Sequence, residues 1–186
     1  MTEPDHQKTV IREAAADVDD EIVIALIMEY LQAAIRRVAE DLPGSGMLDG
    51  LVSSTDEKKI RKGLKGFRRP HGRILLVEQG GNPVGIGALR TIGRDVGEIK
   101  RLYLRPGARR QGLGRAVGKR LLEEAQSMGL CTVRLDTFRG FDEARELVGS
   151  GGFRERGPYE GTEIPEDLWE HWTFYERELP SHRGTP

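Results

Sequence analysis

A segment of glycines and arginines near the middle of the chain restricts the possible folds more than any other feature. Residues 97–104 read as a strand, residues 109–115 have the sequence Arg-Arg-Gln-Gly-Leu-Gly-Arg, and an amphipathic helix follows over residues 112–128. Residues 131–137 then alternate like a second strand. N–H groups at a helix N-terminus are unpaired, and glycine lets a ligand approach them closely. The sequence therefore predicts an anion site at the start of this helix.

Strand and helix patterns along the whole chain give the order β-α-α-β-β-β-α-β-α-β. This order predicts an α/β fold of the mixed α+β kind, with a central, mostly antiparallel sheet flanked by helices. A short turn with glycines and an asparagine joins two apolar strands and predicts a hairpin. The predicted strands are residues 9–13, 73–78, 83–90, 97–104, 131–137 and 171–179. The predicted helices are residues 20–38, 54–69, 112–128 and 142–148, with an irregular stretch at 41–50.

Length and composition bound the class of protein. The chain of 186 residues predicts a single domain over residues 9–179, with loose termini at 1–8 and 180–186. No run of about 18 uncharged apolar residues exists, and the N-terminus lacks an export signal, so we expect a cytoplasmic protein without a membrane span. A lone cysteine, Cys131, and four scattered histidines predict no metal site.

The charge is balanced overall but unevenly placed. The chain has 29 Lys and Arg residues against 30 Asp and Glu residues, which does not favour nucleic-acid binding. Residues 94–120 contain nine basic and two acidic residues, whereas residues 160–170 contain five acidic residues and no Lys or Arg. The basic segment supports an anion site. The acidic segment predicts either a rim that attracts cationic amines or a solvated loop.

Two known types of phosphate-binding loop fit the glycine–arginine segment poorly. A Walker A loop needs four residues between its glycines and a Ser or Thr after its lysine, but here five residues separate Gly112 from Gly118 and Arg120 follows Lys119. A dinucleotide-binding loop would use the two glycines of residues 112–114 and an acid at the end of the next strand. Asp136 supplies such an acid, so a nucleotide-binding oxidoreductase remains a low-ranked alternative, although the segment between strand and glycines is too long.

A third type fits best. The Arg-x-x-Gly-x-Gly pattern of residues 109–114, preceded by the strand at 98–104, resembles motif A of the GNAT superfamily of N-acetyltransferases. The resemblance continues through Leu-Asp-Thr at 135–137 and Gly-Phe at 152–153. It implies an enzyme that transfers an acetyl group from acetyl-CoA, by direct attack, to a primary amine of a small molecule or peptide. It implies no metal, nucleic acid or membrane, and leaves a homodimer open.

The resemblance also implies which residues bind acetyl-CoA. Backbone groups of the fourth strand are expected to pair with the pantetheine arm, and these belong to Leu102, Tyr103 and Leu104. The pyrophosphate is expected in the loop that follows. The residues of that loop are Arg109, Arg110, Gln111, Gly112, Leu113, Gly114 and Arg115.

The resemblance implies two catalytic residues. Glu98 matches the general-base glutamate of histone-acetylating members, and an amine with a pKa near ~10.4 must lose a proton before it attacks. A glutamate at a strand start is also commonly an ion-paired charge, so both roles stay open. Many members have a tyrosine that protonates the departing thiolate where this chain has Val148. Tyr159 or a water is expected to replace it. Val148 also favours an alternative, a non-catalytic module that binds acetyl-CoA.

Overall fold

The computed structural model describes residues 8–44, 46–141, 148–149 and 151–180. Its strands are β1 Thr9–Glu13, β2 Gly72–Gln79, β3 Asn82–Thr91, β4 Val96–Leu104, β5 Thr132–Phe138, β6 Arg154–Arg156 and β7 Trp172–Glu178. All seven belong to one sheet with the order β1-β2-β3-β4-β5-β7-β6. β4 and β5 pair in parallel, and the other neighbouring strands pair antiparallel. The mixed α/β fold with a mostly antiparallel sheet is confirmed, as is the hairpin between β2 and β3.

The described helices are α1 Asp20–Asp41, α2 Met47–Ser53, α3 Glu57–Gly63 and α4 Leu113–Ser127. α1 buries apolar side chains that recur every three or four residues, from Val23 to Val38, so it packs one face on the sheet. α4 begins after Gly112, whose φ of 76° is left-handed, and Gly129, with φ of 77°, follows its end. Both glycines occupy a backbone conformation that side chains with a Cβ rarely adopt.

The sheet separates two apolar cores. On β2, Leu75 and Val77 belong to the core that contains α4 side chains, whereas Ile74 and Leu76 belong to the core that contains α1 side chains. Successive side chains of a strand point to opposite faces, which explains this alternation. We call the two sides of the sheet the α4 face and the α1 face.

β4 and β5 separate after three paired residues. Val96, Gly97 and Glu98 pair with residues 132–134 of β5, and in the described chain no later residue of β4 pairs with that strand. A bulge accompanies the separation, because the register of β4 on β3 shifts by one residue and Arg101 has a left-handed φ of 56°. The two strands therefore diverge and leave a gap in the middle of the sheet.

The segment between α1 and β2 differs from the sequence-based prediction. α2 lies mostly within the stretch predicted to be irregular, because Leu48 and Leu51, one helical turn apart, pack against a small cluster of Val38 and Phe138. This tertiary contact outweighs the poor helix propensity of the glycines. The Ser-x-x-Glu pattern of residues 54–57 predicts a capping box with Ser54 as the cap of the next helix. Instead, the carboxylate of Asp56 accepts the cap hydrogen bond from the Lys59 N–H at 3.0 Å.

The last third of the chain contains a strand that the sequence did not predict, and part of it, like the two ends, lies outside the described residues. β6 has three residues, too few for a pattern in the sequence to indicate it. The predicted helix at 142–148 lies outside the described residues except for Val148, and so do the predicted loose termini at 1–8 and 180–186 except for Lys8 and Pro180. Within the described part of the chain, no helix is both long enough and apolar enough to cross a membrane.

Candidate active site

A cavity of about 1410 Å³ lies at the gap between β4 and β5, and we group its lining residues into two parts, which we call lobes. The first, the loop lobe, is lined by Arg109, Arg110, Gly112, Leu113, Gly114 and Arg115. The second, the α1 lobe, is lined by Tyr30, Ala33, Ala34, Arg36, Arg37, Glu40, Lys100, Arg101, Tyr103 and Asp136. The cavity therefore joins the glycine–arginine loop to charged side chains of the α1 face.

The loop lobe is a backbone site for an anion. The N–H of Ala116 makes an intrahelical bond to the carbonyl of Gly112 at 3.1 Å, so the N–H groups of residues 113–115 have no carbonyl partner within α4. The first turn of α4 has no acidic residue. Arg110 has a left-handed φ of 60° and Gly112 one of 76°. The helix dipole and the unpaired N–H groups together favour a negatively charged ligand.

Side chains of the loop add positive charge to this lobe. Arg110 and Arg115 line the cavity and make no hydrogen bond or ion pair with any described residue. The Nε of Arg109 donates to the carbonyl of Leu104 at 3.0 Å. Gln111 points elsewhere, because its Nε2 donates to the carbonyl of Gly107 at 2.9 Å and its Oε1 accepts from Gln79. Six of the seven predicted loop residues thus line the cavity, and Gln111 does not.

The predicted strand residues also line the cavity. Leu102, Tyr103 and Leu104 all contribute to its wall. The opposite edge of β4 pairs Tyr103 with Ile86 and Leu104 with Gly85. The edge toward β5 has no strand partner among the described residues after Glu98. Unpaired backbone N–H and C=O groups require hydrogen-bond partners, so this edge can bind an extended amide-containing chain.

Glu98 lies in a buried ion pair. Its side chain is fully buried, and its Oε2 accepts from the Nε of Arg90 at 2.7 Å and lies 2.6 Å from the Nη2. Its Oε1 accepts from the hydroxyl of Tyr159 at 2.8 Å and lies 3.5 Å from the Nζ of Lys100. Both carboxylate oxygens are therefore occupied, and Glu98 is not among the residues that line the cavity.

Tyr159 connects Glu98 to a second carboxylate, that of Asp136. Its hydroxyl lies 3.1 Å from the Oδ2 of Asp136, and the Nε1 of Trp172 donates to the Oδ1 of Asp136 at 3.1 Å. Burial, together with these two carboxylates, raises the pKa of Tyr159 far above its usual value, so the phenol keeps its proton. Because a phenol has a single proton, it donates to one of the two carboxylates at a time.

Lys100 lies among three carboxylates. Its Nζ is 3.3 Å from Glu163, 3.4 Å from Asp136 and 3.5 Å from Glu98. Burial alone would lower the pKa of Lys100, but the three carboxylates outweigh it and raise the pKa, so Lys100 is an ammonium. Burial likewise opposes ionisation of Glu163, yet Lys100 and Arg90 lower its pKa below the usual value. Lys100 and Glu163 are therefore both charged.

Asp136 is the carboxylate of this network that reaches the cavity. It lines the α1 lobe together with Lys100, whereas Glu98 and Tyr159 do not line the cavity. Sequence reasoning did not assign a role in acetyl transfer to Asp136, Lys100 or Arg90. A signal was present, because Glu98 and Lys100 are two residues apart in one strand and so occupy the same face.

Val148 occupies the position where a tyrosine was expected from the resemblance. It is buried and lines the cavity, so an aliphatic side chain stands there. The hydroxyl of Tyr159 is bound to Glu98 and Asp136, and it would have to leave both to reach a leaving group. Among the residues that the structure describes, no group of three or more His, Cys, Asp or Glu side chains could hold a metal ion.

Comparison with known sequences identifies relatives of this chain. The family model described as "Acetyltransferase (GNAT) family" matches residues 35–153. An uncharacterized N-acetyltransferase of Schizosaccharomyces pombe is 30% identical over 151 residues, which cover 80% of this chain and 83% of that protein. The IAA acetyltransferase of Azospirillum brasilense is 35% identical over 100 residues, which cover 52% of this chain and 63% of that protein. The second match thus spans less than two thirds of the relative.

Comparison with solved structures agrees with the fold. The PaiA N-acetyltransferase of Thermoplasma acidophilum, solved in complex with coenzyme A, has a TM-score of 0.70 at 14% identity, covering 92% of this chain and 99% of that chain. YncA of Salmonella typhimurium, solved with acetyl-CoA, has a TM-score of 0.62 at 19% identity, covering 96% and 98%. At these identities the likeness shows the fold alone. The family model covers more than half of the sequence and the fungal relative is matched over most of its length, so this chain belongs to the acetyltransferase (GNAT) family.

Proposed function

We propose that this protein transfers the acetyl group of acetyl-CoA to a primary amine of a small molecule or peptide. The observation that carries the proposal is the cavity at the gap between β4 and β5, which joins the anion site of the glycine–arginine loop to the carboxylate of Asp136. The donor would lie in the loop lobe and the acceptor would enter the α1 lobe. Membership of the acetyltransferase family argues against the oxidoreductase alternative. Asp136, the acid that a dinucleotide-binding loop would use, lies instead in the charged network on the α1 face.

Residues of the loop lobe suit the donor. The pyrophosphate of acetyl-CoA would accept hydrogen bonds from backbone N–H groups at the start of α4, with Arg110 and Arg115 adding charge. The pantetheine amides would pair with the open edge of β4 at Leu102 to Leu104. Gln111 would contribute through its position in the loop, since its side chain binds Gly107 and Gln79.

Asp136 would take the proton from the acceptor. Its Oδ1 accepts one hydrogen bond, from Trp172, and a carboxylate oxygen can accept a second. A proton on Asp136 could move to Glu98 through Tyr159. The Tyr159 hydroxyl would accept the proton from Asp136 and donate its own proton to Glu98. The proposed role of Glu98 as a base therefore runs through Tyr159 and Asp136, and Tyr159 is a positioning residue.

The reaction balances without a metal. The amine nitrogen attacks the thioester carbon, the carbon–nitrogen bond forms, the carbon–sulfur bond breaks, and the thiolate of coenzyme A leaves. A thiol has a pKa near ~8.5, so the thiolate is a moderate leaving group that solvent can protonate. No tyrosine is needed at position 148.

Two measurements test the proposed function. Titration calorimetry with acetyl-CoA, coenzyme A and NAD should show binding of the first two and no binding of NAD. An assay for released thiol with a panel of primary amines should show acetyl transfer. Absence of acetyl-CoA binding by the folded protein would contradict the proposal.

A second candidate function is a module that binds acetyl-CoA without catalysis, and Val148 is the observation in its favour. Such a module would bind acetyl-CoA but release no thiol with any amine, and Asp136→Asn would change nothing measurable. The same two assays therefore separate the candidates. The cytoplasmic location, the homodimer and the domain limits at 9 and 179 stay predictions from the sequence.

A further inference from the structure

The α1 lobe has more positive than negative side chains. The cations that line it are Arg36, Arg37, Lys100 and Arg101, and the acids are Glu40 and Asp136. Arg37 pairs with Glu40 and with Asp41, and Lys100 pairs with Asp136. Within the described chain, Arg36 and Arg101 have no ion-pair partner. The lobe therefore contains two guanidinium groups that no described carboxylate pairs with.

Of the two arginines without an ion-pair partner, Arg36 is exposed and Arg101 is half-buried. It forms the bulge of β4 with a left-handed φ of 56°, a conformation that is costly for a residue with a long side chain and that often occurs at functional sites. Its guanidinium lies over the ring of Phe67 at 5.7 Å and makes no hydrogen bond to any described residue. Burial lowers the pKa of Arg101. The guanidinium of Arg101 has five N–H donors and no hydrogen-bond acceptor among the described residues, so it can bind an anionic ligand.

Arg90 provides an internal comparison. Its guanidinium lies over the same ring of Phe67, at 5.6 Å, but Glu98 and Glu163 neutralise it. Arg90 is therefore paired within the protein, whereas Arg101, which stacks on the same phenylalanine, lines the cavity without an ion-pair partner among the described residues. The hydroxyl of Tyr30, in the same lobe, also has no hydrogen-bond partner in the described chain.

The acidic segment at residues 160–170 does not offset this charge. None of its acidic side chains lines the cavity, and Glu163 already forms ion pairs with Arg90 and Lys100. The hypothesis of an acidic rim that attracts cationic amines therefore has no support in the geometry of the cavity.

We propose that Arg101 binds a carboxylate of the acceptor, so that the acceptors are small primary amines that also have a carboxylate group. The inference rests on the proposed function and names its substrate class. Guanidinium and carboxylate form paired, parallel hydrogen bonds, which would fix the acceptor on the α1 face. The amine could then point to Asp136 in the same lobe.

The test compares amines that differ in the carboxylate alone. Glycine, β-alanine and phenylalanine would each be assayed beside the corresponding amide, with putrescine as a cationic amine, by release of coenzyme A thiol. We expect at least one of the acids to be acetylated, with a KM at least tenfold lower than that of its amide. Arg101→Gln should raise the KM of that acid at least tenfold and leave the KM of the amide unchanged.

Two further variants make the result interpretable. Arg101→Lys keeps the charge but loses the paired hydrogen bonds, so its KM for the acid should lie between those of the native protein and Arg101→Gln. Arg94→Gln removes an exposed arginine in the turn between β3 and β4 and should change neither KM. Binding of acetyl-CoA by calorimetry reports whether each variant is folded.

Several outcomes would overturn the inference while leaving the proposed function intact. These are acetylation of putrescine or the amides in preference to the acids, an unchanged KM for the acid in Arg101→Gln, or no acetylation of any acid by a protein that binds acetyl-CoA. A protein that does not bind acetyl-CoA would overturn the proposed function itself, and the calorimetry shows which has failed.

Discussion

The two lobes of the cavity are built in different ways. The loop lobe consists mainly of backbone groups from one continuous segment, whose glycines and arginines lie within seven residues of each other. The α1 lobe consists of side chains from α1, β4 and β5, and two of them, Lys100 and Asp136, contact Glu163 and Tyr159 from elsewhere in the chain. A site made of local backbone can be recognised in a sequence, whereas a site made of distant side chains requires the fold.

The comparison predicts that the α1 lobe controls turnover. Asp136→Asn removes the carboxylate that reaches the cavity, so we expect kcat to fall at least about 100-fold, as for loss of a general base. Glu98→Gln should lower kcat less, about tenfold, because Glu98 acts through Tyr159 and Asp136. Acetyl-CoA affinity should not change, and part of the rate should return at high pH, where the amine loses its proton without help.

The matched control for this prediction is Asp95→Asn, which changes an exposed aspartate in the turn between β3 and β4. It should leave kcat unchanged. A larger loss of kcat in Glu98→Gln than in Asp136→Asn would make Glu98 the primary base and would contradict the order of the two carboxylates proposed above.

The loop lobe should control binding of the donor. Gly112→Val places a β-branched residue at a φ of 76°, which distorts the start of α4, so acetyl-CoA affinity should fall at least about tenfold, or about 1.4 kcal/mol. Arg109→Ala should weaken binding less, because the backbone N–H groups remain. Calorimetry measures both.

Gly46 offers a matched control at another helix start. It precedes α2 with an ordinary φ of −60°, and an added side chain would meet no atom within 4 Å. Gly46→Val should therefore leave acetyl-CoA affinity unchanged. Equal affinity in Gly112→Val and the native protein would show that the anion site lies elsewhere.

Tyr159→Phe separates a positioning role from a general-acid role. The change removes the hydrogen bond to the buried Oε1 of Glu98, so the free energy of unfolding should fall by about 1 kcal/mol. It also breaks the path from Asp136 to Glu98, so kcat should fall about tenfold, as in Glu98→Gln. Tyr175→Phe is the control, because that buried hydroxyl makes no hydrogen bond to a described residue. A 100-fold loss of kcat at unchanged stability would instead identify Tyr159 as the acid.

The smallest expected effects concern two glycines, Gly112 at the start of α4 and Gly118 inside that helix. Gly118 lies inside α4, and an added methyl group would meet no neighbouring atom within 4 Å. Gly118→Ala should raise the free energy of unfolding by about 0.5–1 kcal/mol, since alanine favours helices. Gly112→Ala should lower it by about 1 kcal/mol because of the positive φ. Urea unfolding measures both, and the same sign for both would contradict this account.

Particular elements show how far the sequence predicts the fold. The strands and the two long helices have apolar residues at periods of two or about 3.6, and these periods alone place them within a few residues. α2 was missed because its stability comes from contacts of Leu48 and Leu51 with distant residues. The cap of α3 was misplaced by two residues because Ser54 and Asp56 are both good caps, and local sequence does not choose between them.

For the site, the sequence by itself determined the loop. Glycine at position 112 and the arginines around it specify a left-handed turn, a helix start and an anion site through interactions within seven residues. The tertiary structure alone decided that β4 and β5 separate, that Glu98 is paired with Arg90, and that Arg101 has no ion-pair partner among the described residues. These facts depend on which charges meet across the sheet, and distant residues such as Arg90 and Glu163, 73 positions apart, come into contact only when the chain folds.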